Sequence, residues 1–139
     1  MDILLVEDNP GDVRLMQEVL KEAWRPINLH VVGDGVEALS FLRREEGYVG
    51  VPHPHLVFLD LRLPKKSGHE VLAEIKSDTN LHHIPVLVLT SSDADRDISQ
   101  AYELHANCYI TKPADLDQFF DMMKSLENFW LGVAKLPLE

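Results

Sequence analysis

Apolar residues fall along this chain in five short runs separated by stretches of helical periodicity. Residues 3–6 (Ile-Leu-Leu-Val) and 55–59 (His-Leu-Val-Phe-Leu) show no polar alternation, the mark of strands covered on both faces. Residues 27–32, 85–90 and 108–111 complete a set of five expected strands. Between them, apolar positions repeat at helical spacing. Val13, Met16, Val19, Leu20 and Ala23 mark one helix, and Val36, Ala38, Leu39 and Leu42 a second. Val71, Leu72 and Ile75 mark a short third over 70–76. Ala94, Ile98, Ala101 and His105 mark a fourth over about 93–105. The last helix starts near Asp115 and runs past Leu126, its inward stripe being Leu116, Phe119, Met123, Leu126 and Trp130. Asn9-Pro10-Gly11-Asp12, Gly33-Asp34-Gly35, the 47–54 loop and the Pro64–Gly68 break supply the turns.

Strands alternating with helices imply an α/β fold: a parallel sheet with helices on both faces. Right-handed crossovers leave few topologies, and at this size the common one is the doubly wound, flavodoxin-like (βα)5 order 2-1-3-4-5. Its switch point lies between the first and third strands, where such folds bind ligands. The first strand ends in Glu7-Asp8 and the third in Asp60, so three acids converge on that crevice.

Composition narrows the picture. The chain has 139 residues, 45% of them hydrophobic, which suits one domain over 1–139 with a short C-terminal extension from about 131 to 139. No linker is evident, and no output domain is expected. A formal net charge of −10 argues against binding nucleic acid or an anionic membrane. Cys108 is the only cysteine, no apolar run is long enough to span a bilayer, and no signal sequence is evident. A cytoplasmic location is the expectation.

Three clustered carboxylates repel one another, so a positive partner is required. A hard divalent cation suits such oxygen donors: Mg2+, with Mn2+ or Ca2+ able to substitute. Asp8 and Asp60 are expected as direct ligands and Glu7 as a ligand through water. Thr90 and Lys112, from the ends of the fourth and fifth strands, supply a hydroxyl and an ammonium suited to a phosphoryl group. Asp60 then has a role as the carboxylate that accepts phosphoryl.

Glu7-Asp8, Asp60 with Pro64 and Gly68 behind it, Thr90-Ser91 and Lys112-Pro113, in order on successive strands, make the whole chain resemble a response-regulator receiver domain. The resemblance implies Mg2+-dependent phosphoryl transfer from a histidine kinase to Asp60, with the Arg62 backbone carbonyl as a further metal ligand. It implies phosphoryl binding by Thr90, Ser91 and Lys112, and a conformational switch made of Thr90 and Tyr109. It also implies a cis Lys112–Pro113 bond that aims the lysine inward. Such a chain catalyses only its own phosphorylation and slow dephosphorylation. The segments 63–68 and 103–113 and the Phe129-Trp130-Leu131 ending resemble small stand-alone regulators paired with bacterial and cyanobacterial phytochromes, which points to a phytochrome-type kinase. Ser67 departs from the family, which often has Asp or Asn there. Arg62 and Ser92 fall where hydrolysis rate is tuned.

Two other functions compete. A phosphohydrolase using an aspartyl phosphate would need a second Asp where Arg62 stands, and a pseudo-receiver would not need the full site set. The acidic run 93–97 lacks the glycine and distal Glu of a calcium loop, and His82-His83 reads as surface. Met122, Phe129 and Val133 on one side of the last helix, and Phe120 on the other, widen its apolar arc to about 180°. One sheet face cannot cover that arc, so a homodimer through the fourth-helix, fifth-strand, fifth-helix face is expected, with Tyr102, Phe120, Met122 and Phe129 in the interface. The alternative cover is the chain's own tail, 132–139.

Overall fold

Alternate residues of each central strand feed two different cores. Leu4, Val6, Val57, Leu59, Val86 and Val88 face one side of the sheet, and Ile3, Leu5, Leu56, Phe58, Leu87 and Leu89 face the other. That division is why these runs carry no polar alternation. The structure, a computed structural model, describes residues 1–23 and 25–137. Its elements are β1 (Asp2–Val6), α1 (Pro10–Lys21), β2 (Asn28–Val32), α2 (Gly35–Arg43), β3 (Leu56–Leu59), α3 (Gly68–Ser77), β4 (Val86–Thr90), α4 (Asp95–Glu103), β5 (Cys108–Thr111) and α5 (Leu116–Leu126). A π-helical segment, Glu127–Val133, continues α5.

All strand pairs are parallel and their order is β2-β1-β3-β4-β5, the expected flavodoxin-like arrangement. Helices α2 and α3 cover one face with Ala101 of α4, and α1 and α5 cover the other. The helix starts follow from local capping. Asn9 Oδ1 accepts from the Gly11 and Asp12 amides, Asp34 from Glu37, Ser67 from Glu70 and Asp115 from Gln118. Ser67 therefore caps α3, which begins at Gly68 rather than at Glu70. Helix α4 begins at Asp95 rather than near Asp93, and its N-cap residue Ala94 makes no side-chain cap. Ser92 Oγ instead accepts from the Ala94 amide at 3.3 Å.

One helical face differs from expectation. Phe119 and Met123 are buried as expected and Leu126 and Trp130 are half-buried, but Leu116 is 54% exposed and Leu131 takes a buried place at 3%. Leu116 stands at the very first position of α5, beyond the edge of β5. Leu131 moves inward because the π turn takes more residues per revolution than the 3.6 of an α-helix, so the apolar stripe lags behind the expected phase. Among the described residues, the tail is not seen to cover the α4–β5–α5 face. Leu131, Ala134, Lys135 and Leu136 instead border a cavity with Met1, Arg25 and His55, next to the amino ends of β1 and β3. Residues 138 and 139 lie outside the described residues.

Candidate functional site

At the carboxyl ends of β1 and β3 the sheet hydrogen bonding runs one residue past the strands. The Glu7 amide donates to Val32 O at 3.0 Å and the Asp60 amide to Val6 O at 3.1 Å, which fixes both backbones at the crevice. Glu7, Asp8 and Asp60 each offer a carboxylate oxygen within 4.8 Å of the others; Glu7 and Asp60 are buried and Asp8 is exposed. Behind Asp60 the chain turns back so closely that a Cβ on Gly68 would sit 2.2 Å from the Asp60 carbonyl oxygen. No side chain fits there, which gives the glycine a steric reason.

Lys112 enters from the end of β5, its amide held by Thr90 O at 2.7 Å. Its Nζ donates to Glu7 Oε1, to Asp12 Oδ2 at 2.8 Å and to Asp60 Oδ2 at 3.2 Å. The Lys112–Pro113 bond is trans, which corrects the cis expectation. The Lys112 ammonium still reaches Glu7, Asp12 and Asp60.

The electrostatics follow from burial and this one ammonium. Burial pushes the Glu7 carboxyl up to about 7, with the Asp60 charge adding to the rise and Lys112 opposing it. Burial acts on Asp60 in the same sense. There the Lys112 charge and the Arg62 amide, which donates to Oδ1 at 3.2 Å, outweigh it and hold the carboxyl below its ordinary value. Burial would lower the Lys112 ammonium, but its carboxylate partners raise it instead. Asp60 is thus the ionised member of the buried pair.

Thr90 is fully buried. Its Oγ1 lies near enough to Asp60 to favour the ionised carboxylate, yet it closes no hydrogen bond of normal geometry. A buried hydroxyl in that condition has a donor to give. Ser91, by contrast, is exposed at the rim. Tyr109 is half-buried and its hydroxyl donates to Ser92 O at 2.8 Å, in the loop just after Thr90. The Tyr109 amide donates to the Tyr102 hydroxyl at 3.1 Å, which brings the Tyr102 side chain against the β5 backbone. Tyr102 and Phe129 are 50% and 53% exposed, while Phe120 and Met122 are half-buried against the α1–α5 core. The Arg62 side chain is exposed.

One participant escaped the sequence reading, and another took an unexpected partner. Asp12 contributes a third carboxylate to Lys112, from the first turn of α1. Ser92 turns its hydroxyl away from the crevice to Asp97 Oδ2 and so braces the start of α4. The acidic first turn of α1 was the available signal for Asp12; nothing local marks its partner. The donor set of three carboxylates fits a hard divalent cation, and the buried, unpaired Thr90 hydroxyl beside Lys112 fits an anionic oxygen.

Comparison with known proteins agrees with this geometry. The response regulator receiver domain family matches residues 3–124. The chain is 49% identical over 135 residues to response regulator Rcp1 of Synechocystis sp., covering 97% of this chain and 92% of that protein. The Mn2+-bound form of Rcp1 superposes with a TM-score of 0.96 at 48% identity, over 99% of both chains. The phosphorylated cyanobacterial phytochrome response regulator RcpA superposes with a TM-score of 0.96 at 52% identity, covering 99% of this chain and 98% of that one. The protein with the Glu7–Asp8–Asp60–Lys112 crevice belongs to the response regulator receiver domain family, and within it is homologous to the phytochrome response regulators.

Proposed function

We propose that this chain is a phosphoacceptor switch that takes phosphoryl from a phytochrome-type histidine kinase onto Asp60. The observation that carries the proposal is the Asp60 carboxylate itself: buried, held ionised, and placed between Lys112 and a set of metal donors. The phosphorylated state of RcpA and the Mn2+ in Rcp1 support the same reading. An ionised Asp60 oxygen attacks phosphorus, the P–N bond of a phosphohistidine breaks, and the imidazole leaves with that electron pair. An acyl phosphate remains on Asp60. Mg2+, held by Asp8, Asp60 and the Arg62 carbonyl with Glu7 acting through water, would supply charge neutralisation to the phosphoryl oxygens. Lys112 donates to the same oxygens, and the buried Thr90 hydroxyl gains the acceptor it lacks. Ser91 contributes from the rim.

Thr90 and Tyr109 form the switch. Withdrawal of the Thr90 hydroxyl toward phosphoryl changes the packing beside Ser92, to whose carbonyl Tyr109 is tied. The altered face is that of α4, β5 and α5. The single domain of 1–139, with its extension from about 131, then signals by protein contact from the cytoplasm, pairing as a homodimer through Tyr102, Phe120, Met122 and Phe129. Its chemistry is limited to its own phosphorylation and slow dephosphorylation. Acetyl phosphate with Mg2+ is expected to add one phosphoryl mass to the intact protein, and Asp60→Asn to abolish the addition. Equal labelling of the variant would reject Asp60 as acceptor.

A further inference from the structure

Lys112 is held by one carboxylate more than a phosphoryl site requires. An ammonium has three protons to donate, and here all three have takers: Glu7, Asp12 and Asp60. Asp12 stands apart from the other two. It belongs to the first turn of α1 rather than to a strand end, and its amide is fixed by the Asn9 cap at 3.1 Å. Its side chain is 25% exposed while that of Lys112 is 6% exposed, so the pair is largely shielded from solvent. Shielded charges interact over several ångströms with little screening.

A phosphoryl oxygen on Asp60 can receive a donor from Lys112 only if one of the present acceptors gives it up. We propose that Asp12 is a positioning residue for Lys112: it draws the ammonium partly off Asp60 at rest, and surrenders it when phosphoryl arrives. This inference rests on the phosphoacceptor reading given above. Its consequence is a pair of opposite effects. The Asp12 charge favours a divalent cation at Glu7, Asp8 and Asp60, because it adds negative potential and diverts a competing ammonium. The same charge disfavours an anionic phosphoryl group, which it repels and whose donor it occupies. A residue needed only for folding would move both affinities the same way.

The test uses the full chain, Asp12→Asn and Asp12→Glu. Calorimetric titration with Mg2+ alone is expected to show binding weakened about threefold or more in Asp12→Asn and restored in Asp12→Glu. Titration with beryllofluoride, the phosphoryl analogue, at saturating Mg2+ is expected to show Asp12→Asn binding about threefold or more tighter than wild type. Affinities that stay within about twofold of wild type, or that fall together, overturn the proposal. Asp12→Glu that folds like wild type yet fails to restore Mg2+ binding also overturns it. If wild type takes up no phosphoryl from acetyl phosphate, the function proposed above falls; the Mg2+ titration still decides whether Asp12 positions Lys112 at rest.

Discussion

Among single residues, Glu7 carries a cost that the metal-free protein cannot avoid. Its carboxyl ionises near pH 7 in the folded chain, against an ordinary 4.5. Between those values the folded state holds a proton that the unfolded state has released. Stability from this residue is therefore full below about pH 4.5 and is lost as pH rises to about 7. Wild type and Glu7→Gln, compared by urea unfolding without metal, are expected to diverge over that window by about 1–3 kcal/mol, wild type falling as pH rises. Added Mg2+ should recover wild type and not the variant. Asp60 runs oppositely, since its lowered carboxyl adds stability above its ordinary value of 3.8, which is lost as pH falls. Arg62 acts from outside the buried pair. Its amide holds Asp60 Oδ1, while its exposed side chain is free to meet a phosphoryl group. Arg62→Ala is expected to shorten the phosphoryl lifetime by about two- to fivefold, the worth of an exposed ion pair. An unchanged or longer lifetime would remove Arg62 from the site.

At the scale of elements, the ends of the sheet opposite the crevice are closed by a polar clasp. Lys76 of α3 donates to Ile84 O at 2.8 Å, His82 O at 3.1 Å and Asn107 Oδ1 at 3.0 Å. Asn107 also pairs with both main-chain groups of Val86, at 2.9 and 3.0 Å. Burial lowers the Lys76 ammonium, which has carbonyls rather than carboxylates around it. Asn107→Ala is expected to cost about 1–3 kcal/mol in denaturant unfolding, because it strands donors on Lys76 and Val86. Mg2+ binding at the far end should not change. The strands, their order and the acids at their ends were legible because apolar runs and topology rules are local or global, never in between. The clasp was not, since Lys76 and Asn107 stand 31 residues apart without any periodic mark. Asp12 was missed for the same reason, 100 residues from its lysine. Leu131 was left off the inward stripe because a constant helical period was assumed across a π turn, and Leu116 was put on it although it stands at the first position of α5.

For the molecule as a whole, the exposed apolar groups Tyr102, Phe129 and Val133 remain to be covered, as the described tail residues Ala134, Lys135 and Leu136 turn toward Met1, Arg25 and His55. Pairing through this face is expected to show in sedimentation at tens of micromolar, with or without beryllofluoride. Phe120→Asp with Phe129→Asp should be monomeric, and a wild type that is monomeric in both states would end the idea. The π segment gives this surface a property that the crevice lacks. A π turn is an α-helix with one residue to spare, so the loss of a single residue between 127 and 131 can be absorbed without breaking the helix. The residues beyond the loss would keep their facing, because the same turn then closes with one residue fewer, and only the side chains within the turn would change places. The strands and their acids would not move. One small deletion in the coding sequence can thus alter the Phe129–Trp130 end of the face offered to partners while the distant crevice keeps its chemistry.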